Sequence, residues 1–270
     1  MQHHDSDSSV DAIDGAPTAG RLLVAVATYN EIENLPRLIE EIFQHLPQCE
    51  VLVIDDNSPD GTGRWCDDRA ADEPRLQCLH RAGKLGLGTA VIAAFQYAIE
   101  HGYDYLITMD ADFSHHPRYL RDLLAGMNDD AGEAVKDCMI GSRYVPGGGI
   151  EGWPLKRHLM SKGVNTYARL LLSLPIKDCS GNFRCYRVEQ LKQLDFDAII
   201  SRGYSFQEEV LWHLHRAGTR FGETPITFVD RLHGTSKINA GEAKAALAIL
   251  FKLGWKNWTG RRPSEADKQT

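Results

Sequence analysis

The segment TMDADFSHHP, residues 108–117, places Asp110 and Asp112 two residues apart at the end of an apolar run. In an extended strand, side chains at i and i+2 point to the same side, so both carboxylates aim at one point. Like charges that close raise each other's pKa unless a cation sits between them. A divalent ion with oxygen ligands, Mg²⁺ or Mn²⁺, relieves that repulsion and typically bridges carboxylates to a diphosphate. Such an ion also neutralises a diphosphate as it departs. His115 and His116 are further candidate ligands, but Pro117 behind them marks a helix start and favours a loop or capping role.

Other polar segments divide between chemistry and turn formation. DDNSPDGTG, residues 55–63, offers Asp56, Ser58, Asp60 and Gly61, with Asp67 beyond, at a spacing loosely like a calcium loop. A strand rather than a helix precedes it and Pro59 falls inside it, so a strand-to-helix turn with capping residues is the better reading. Asp55 and Asp56 directly after a buried apolar run suit hydrogen bonds to a ribose or a base. RAGKLGLGTA, residues 81–90, lacks the glycine–lysine–Ser/Thr order of a P-loop, which argues against an ATPase. RLHGTSK, residues 231–237, puts Arg231 and Lys237 around a glycine turn, an arrangement able to clamp phosphates.

These segments need a frame. Alternating patterns predict strands over 21–27, 50–56, 75–80 and 103–110, and helices over 34–46, from about 63, and over 86–101. Short βαβα units imply a mostly parallel sheet with right-handed crossovers, which binds ligands beyond the carboxyl ends of its strands. The clusters at 28–31, 55–62 and 110–116 all fall at those ends, as one site built from three loops. Farther on come a glycine-rich loop at 145–154, expected to be mobile, and a helix over 155–174. A strand near 183–187, a helix near 205–217, a strand near 223–229 and a final helix over 241–258 complete the chain.

Bulk properties narrow the function classes. The chain has 270 residues, 43% hydrophobic and 25% charged, as expected of a soluble globular protein, and its net charge of −7 argues against a nucleic-acid binder. Six cysteines without a CxxC pair read as reduced thiols in a cytosolic compartment. No apolar run approaches the roughly 20 residues needed to cross a bilayer, and no signal peptide is visible. Residues 1–20 read as a disordered acidic tail and 259–270 as a polar one, leaving a single domain between them.

Taken together, TYNEIENL, IDDNSPDGT, KLGLGTA, MDADFSHHP, GSRY, SGNFRCY, FQEEV and FVDRLHGTSK stand in this order across residues 28–237. The series closely resembles the dolichol-phosphate mannose synthases, inverting family 2 glycosyltransferases of the GT-A fold, and spans nearly the whole chain apart from its tails. The resemblance implies a Rossmann-like α/β domain over 21–258, with a nucleotide-sugar half at 21–141 and an acceptor half at 142–258. It implies that Ala27, Tyr29, Glu31, Ile54 and Asp56 hold the guanosine of GDP-mannose. Asp110, Ala111 and Asp112 would meet the metal, Mg²⁺ or Mn²⁺, and the diphosphate. Ser114 stands where some members carry a glutamine ligand, so a serine or a water would complete the shell. Arg143, Arg231 and Lys237 would bind the donor's phosphates, and Arg157 and Ser161 the acceptor's phosphate, with Arg143 shared. Asp110, Asp112 and Arg143 are the residues implied to carry catalysis. Ala27 replaces the proline usual before TYNE, which matters little for a backbone contact.

The chemistry stands beside the resemblance. A polyprenyl phosphate is already an anion near neutral pH, so its attack on a sugar carbon needs positioning, a cation on the leaving group and arginines, not a strong base. Direct displacement with inversion is the simplest mechanism. Three competitors remain open: glucose transfer from UDP-glucose, transfer to a soluble acceptor with Glu208 or Glu209 of FQEEV as base, and a nucleotide-sugar-binding adaptor without catalysis. A lipid acceptor also requires a membrane surface. Two stripes, Met160, Val164, Tyr167, Leu171 and Leu174, and Leu247, Leu250, Phe251 and Trp258, suit either an interfacial helix or the core. The expectation is peripheral attachment to the cytosolic face, with a small membrane subunit as a helper in some relatives.

Overall fold

The computed structural model describes residues 20–129, 131–201, 203, 205–230 and 240–259. The predicted alternation forms β1 (Leu22–Thr28), α1 (Leu35–His45), β2 (Glu50–Asp55), α2 (Thr62–Ala70), β3 (Leu76–His80), α3 (Leu87–Glu100) and β4 (Tyr105–Asp110). There follow α4 (Leu120–Ala125), β5 (Cys138–Ser142), β6 (Gly149–Glu151), α5 (Leu155–Leu172), β7 (Arg184–Arg187) and α6 (Val188–Leu191). The described chain ends with α7 (Phe206–Arg216), β8 (Phe221–Pro225), β9 (Thr227–Val229) and α8 (Ala240–Thr259).

Seven strands make one sheet in the order β3-β2-β1-β4-β7-β5-β8. It is parallel except for β7, which runs antiparallel to both β4 and β5. The expected α/β fold with a mostly parallel sheet flanked by helices is therefore present. Its strands are apolar on both faces because helices cover both. Leu23, Ala25, Leu52, Ile54 and Leu106 face a core shared with α3, α5, α7 and α8, while Leu22, Val24, Val26, Val51, Val53 and Ile107 face α1 and α4. The period-2 alternation thus feeds two cores at once.

Three expectations change. The strand expected near 223–229 is two strands, because Pro225 has no N–H to continue the ladder and the chain changes partners at Ile226. Ile226 donates to Ser142 and accepts from Gly149, and β9 then pairs with β6 in a separate two-stranded sheet. The glycine-rich loop carries β6, and Gly148 serves close approach: a Cβ there would lie 2.5 Å from the Ser142 carbonyl oxygen. Finally, Leu171, Leu174 and Leu250 turn into the core, while Trp255 joins the exposed side of α8.

Because β7 lies between β4 and β5, the second half of the sequence enters the middle of the sheet beside the strand that carries Asp110. That insertion assembles the site.

Candidate active site

At the carboxyl ends of β1, β2 and β4 the chain turns through Asn30, Asn57 and Phe113 at φ of 61°, 58° and 60°. Left-handed backbone at non-glycine residues costs on the order of 1–3 kcal/mol each and persists where surroundings fix it. Here the first two loops are tied together. Asn30 N–H donates to Ser58 Oγ at 3.0 Å, Glu31 N–H to Thr62 Oγ1 at 3.0 Å, and Ile32 N–H to Asp60 Oδ2 at 3.1 Å. Asp55 accepts from Thr28, from the Ser58 hydroxyl and from the Ser58 N–H. The polar residues of 55–62 are thus largely spent on the turn, as expected, although α2 starts after Gly61 without a side-chain cap.

Asp56 faces the other way. Its carboxylate pairs with Arg81 Nε at 2.8 Å and accepts from the N–H groups of Leu85 and Gly86. It therefore shapes the 81–86 loop, where Lys84 Nζ sits 4.1 Å from the centre of the Tyr29 ring. Tyr29 thus lies beside the loop that Asp56 braces, while the Glu31 carboxylate accepts from Asn34 Nδ2 at 2.9 Å. Ile54 does not offer a side chain there: alternation along β2 buries it in the core, so only its backbone can face a ligand. Ala27 is half-buried at the same level of β1.

Asp110 ends β4 as expected, but Asp112 lies just past the strand in the turn that follows, so strand alternation does not align the pair. Asp110 Oδ1 accepts from Asn182 Nδ2 at 2.9 Å, and Asn182 Oδ1 accepts from Gln207 Nε2 at 2.7 Å. Asp112 Oδ1 accepts from the Ser114 N–H at 3.0 Å. Ala111 between them is buried. His115 Nδ1 lies 3.6 Å from Asp110 Oδ2, with its ring stacked on Phe183 at 5.2 Å. Burial lowers the His115 pKa against the opposing pull of Asp110. Ser114 Oγ and His115 Nδ1 are both buried without a hydrogen-bond partner. Two carboxylates beside unsatisfied buried polar atoms fit a hard divalent ion with an oxygen-rich shell. His116 is not part of this group: its Nδ1 accepts from the Arg118 N–H and caps the short turn at Pro117–Tyr119.

Arg143 follows β5 and is buried. Its Nε and Nη2 form a two-pronged pair with Asp178 at 2.7 Å each, and Nη2 also reaches Ser180. Burial opposes charge on both partners, but the pair overcomes it, holding the Asp178 carboxyl below and the Arg143 guanidinium above their ordinary ranges. The neighbouring Arg184 is completely buried and donates to the carbonyls of Cys179 and Gln207.

The acceptor residues named from the resemblance converge on Arg143. Ser161 Oγ accepts from Tyr144 O–H at 2.8 Å, and Asn165, one turn along α5, donates to Ser180 Oγ at 3.1 Å. Arg157 lies 4.0 Å from the centre of the Trp153 ring and pairs with Asp230 at 2.8 Å. Arg231 and Lys237 lie outside the described residues.

The α7 carboxylates differ in kind. Glu209 accepts from the N–H groups of Ile200 and Ser201, a structural duty that explains its burial. Glu208 is buried too, and loss of solvent pushes its carboxyl up to about 7. Sequence reasoning assigned no role to Asn182, Gln207, Asp178 or Tyr144. The first two lie inside segments already singled out, SGNFRCY and FQEEV, but Asp178 carries no signal of its own.

Comparison with known proteins adds to this geometry. The sequence profile described as glycosyl transferase family 2 matches residues 23–195. The chain is 44% identical over 245 residues to an undecaprenyl-phosphate mannosyltransferase of Micrococcus luteus, covering 90% of this chain and 98% of that one. It is also 44% identical over 235 residues to a polyprenol monophosphomannose synthase of Mycolicibacterium smegmatis, covering 87% of each. Among solved structures, a mannosyltransferase from Pyrobaculum calidifontis in complex with GDP-mannose and Mn²⁺ superposes with a TM-score of 0.57 at 17% identity, over 90% of this chain and 66% of that one. Glucosyl-3-phosphoglycerate synthase from Mycobacterium tuberculosis, in complex with Mn²⁺, UDP and phosphoglyceric acid, gives 0.58 at 16% identity, over 92% and 81%. These distant structures share the fold.

Proposed function

We propose, from the premise that this chain belongs to glycosyl transferase family 2, that it transfers mannose from GDP-mannose to a polyprenyl phosphate with inversion at the sugar carbon. The chain is a glycosyltransferase, and relatives matched along nearly its whole length are polyprenyl-phosphate mannosyltransferases. One observation carries the choice of a phosphate acceptor over a hydroxyl. The site joins a carboxylate pair to buried arginine, while Glu209 is bonded to backbone N–H groups and Glu208 is sealed from solvent, so neither is placed as a base.

Asp110 and Asp112 would hold the divalent ion, which when bound supplies Lewis-acid neutralisation of the departing diphosphate. Tyr29, Glu31 and Asp56 bind the nucleoside end, and the 81–86 loop is braced by Asp56. Arg143, anchored by Asp178, places fixed positive charge where two anions must approach. Arg157 and Ser161 receive the acceptor's phosphate on the exposed side of that arginine. A phosphate oxygen bonds to the sugar carbon as that carbon's bond to the diphosphate oxygen breaks, and the electron pair leaves with GDP. No proton has to move.

The acceptor's tail needs a lipid surface. No described helix is long and apolar enough to cross a membrane. Leu155, Leu159, Met160 and Val164 on α5 and Phe251, Trp255 and Trp258 on α8 are exposed, with Lys156, Lys162, Lys252 and Lys256 interspersed. The two helices are packed together, with Gly254 against Leu171. Apolar side chains beside lysines suit peripheral contact with an anionic leaflet, and we place the protein on the cytosolic face.

The test is transfer of label from radioactive GDP-mannose into the organic phase in the presence of a polyprenyl phosphate and Mg²⁺ or Mn²⁺. EDTA-sensitive transfer is the expected result. Transfer only from UDP-glucose, or only to a water-soluble acceptor, overturns the assignment.

A further inference from the structure

We propose that Asp67, Cys78 and His80 form a second cation site that takes a borderline transition-metal ion of the Zn²⁺ class. Cys78 and His80 stand two apart on β3 and project to the same side of the strand. That side faces α2, whose consecutive residues Cys66 and Asp67 meet them.

The donor atoms are close enough. The His80 ring lies between the other two, with Nε2 2.8 Å from Asp67 Oδ1 and Nδ1 4.0 Å from Cys78 Sγ, and one of these nitrogens would face the ion. One donor atom from each of the three residues lies within 4.8 Å of the others. Among the described residues, this is the cluster of histidine, cysteine and carboxylate that meets that spacing. Zinc bonds of roughly 2.0–2.3 Å in a tetrahedron put neighbouring ligands about 3.3–3.8 Å apart, so side-chain rotation suffices. Cys66, next to Asp67 on α2, is buried, and its Sγ lies 3.8 Å from the Gln77 carbonyl.

Donor chemistry selects the ion. Thiolate and imidazole favour zinc-like metals, whereas Mg²⁺ prefers oxygen. The Asp110–Asp112 site is led by two carboxylates and holds no thiol, so the two sites favour different metals. An exposed histidine–carboxylate pair alone would account for Asp67 and His80 but not for the Cys78 thiol gathered with them. Asp67 and His80 are exposed, which gives an ion access from solvent.

Position gives the site a consequence. A Cβ on Gly63 would lie 3.0 Å from His80 Cε1 and 2.8 Å from Asp55 Oδ2. His80 therefore sits one residue away from the carboxylate that ties the nucleotide-side turn together. A bound ion clamps α2 to β3 directly behind that turn and stabilises the folded chain by mass action.

Equilibrium dialysis of the reduced, chelator-stripped full chain against Zn²⁺ in excess Mg²⁺ tests the proposal. One Zn²⁺ per chain is expected, with affinity at least about tenfold weaker in Cys78→Ser and in His80→Ala, and unchanged in Asp112→Ala. Zn²⁺ should raise the thermal midpoint of the parent and not that of Cys78→Ser. Co²⁺ in place of Zn²⁺ should give a thiolate-to-metal absorption band that Cys78→Ser removes. Failure of the parent to bind Zn²⁺, parental affinity in both site variants, or loss of binding in Asp112→Ala overturns it. None of these readouts depends on the identity of the sugar donor or acceptor.

Discussion

Asn182 Nδ2 donates to Asp110 Oδ1 at 2.9 Å, joining a loop of the second half of the chain to a carboxylate of the first. Gln207 Nε2 in turn donates to Asn182 Oδ1, so α7 sets the orientation of a side chain at the end of β4. A hydrogen bond to a charged group contributes about 1.5–3 kcal/mol. Asn182→Ala should therefore weaken the divalent-ion dependence of transfer by about tenfold or more, each 1.4 kcal/mol being tenfold. Titrating activity with Mn²⁺ checks it. An unchanged half-saturating concentration would show that Asp110 needs no such brace.

Arg143 and Asp178 make the opposite kind of test, because both are buried. Removing one partner of a buried pair leaves an uncompensated charge and costs about 3–5 kcal/mol. Asp178→Ala should lose stability on that scale in urea denaturation. The Asp178 carboxyl is held below its ordinary range, so its stabilisation is present above the unfolded carboxyl pKa of about 3.9. It is lost as pH falls through the lower folded value. The variant and the parent should converge in stability toward strongly acidic pH.

Glu208 has the reverse sign. Its folded pKa is raised to about 7, so the folded state retains a proton that the unfolded chain has already lost. Stability should fall as pH rises from about 4.3, the ordinary glutamate value, and level off above the folded value. Glu208→Gln should be more stable than the parent above neutrality and similar to it near pH 4. Thermal midpoints across that range decide the matter; parallel curves would mean that Glu208 is ionised throughout.

Arg157 sits between Trp153 and Asp230 on the face of α5 that also carries Ser161. Arg157→Ala should raise the apparent KM for polyprenyl phosphate by roughly tenfold, the loss of one charge-assisted contact, with a smaller effect on GDP-mannose. Steady-state kinetics in both substrates separates the two. A larger donor effect would move Arg157 to the other side of the reaction.

The exposed side chains of α5 and α8 predict attachment to bilayers. Leu159→Glu with Trp255→Glu should reduce flotation with anionic liposomes several-fold, each change adding charge where apolar area of about 25 cal/mol per Å² would be buried. Transfer to a short, water-soluble polyprenyl phosphate should survive. Undiminished flotation would assign membrane contact elsewhere.

Much of this organisation is legible in the sequence because it is local. Strand period, the aspartates at and just past the end of β4 and the turn chemistry of 55–62 each depend on residues near one another in the chain, and each lies where expected. Reading failed where partners are distant. Asp178 looks like any loop aspartate until Arg143, 35 positions away, is folded against it. The strand expected over 223–229 breaks because Ile226 finds partners in Ser142 and Gly149.

Sequence alone determined the types of the candidate site residues and the strand ends beside which they lie, since alternation and strand ends are properties of a single segment. Tertiary structure decided which of those groups are engaged. Inserting β7 between β4 and β5 brought Asn182 to Asp110, and α7 supplied Gln207 behind it. It also tied Glu209 to the Ile200 and Ser201 amides, placed Leu171 and Leu250 in the core, and left Leu159 and Trp255 outside. These outcomes depend on burial and long-range pairing, which exist only once the chain has closed around its core.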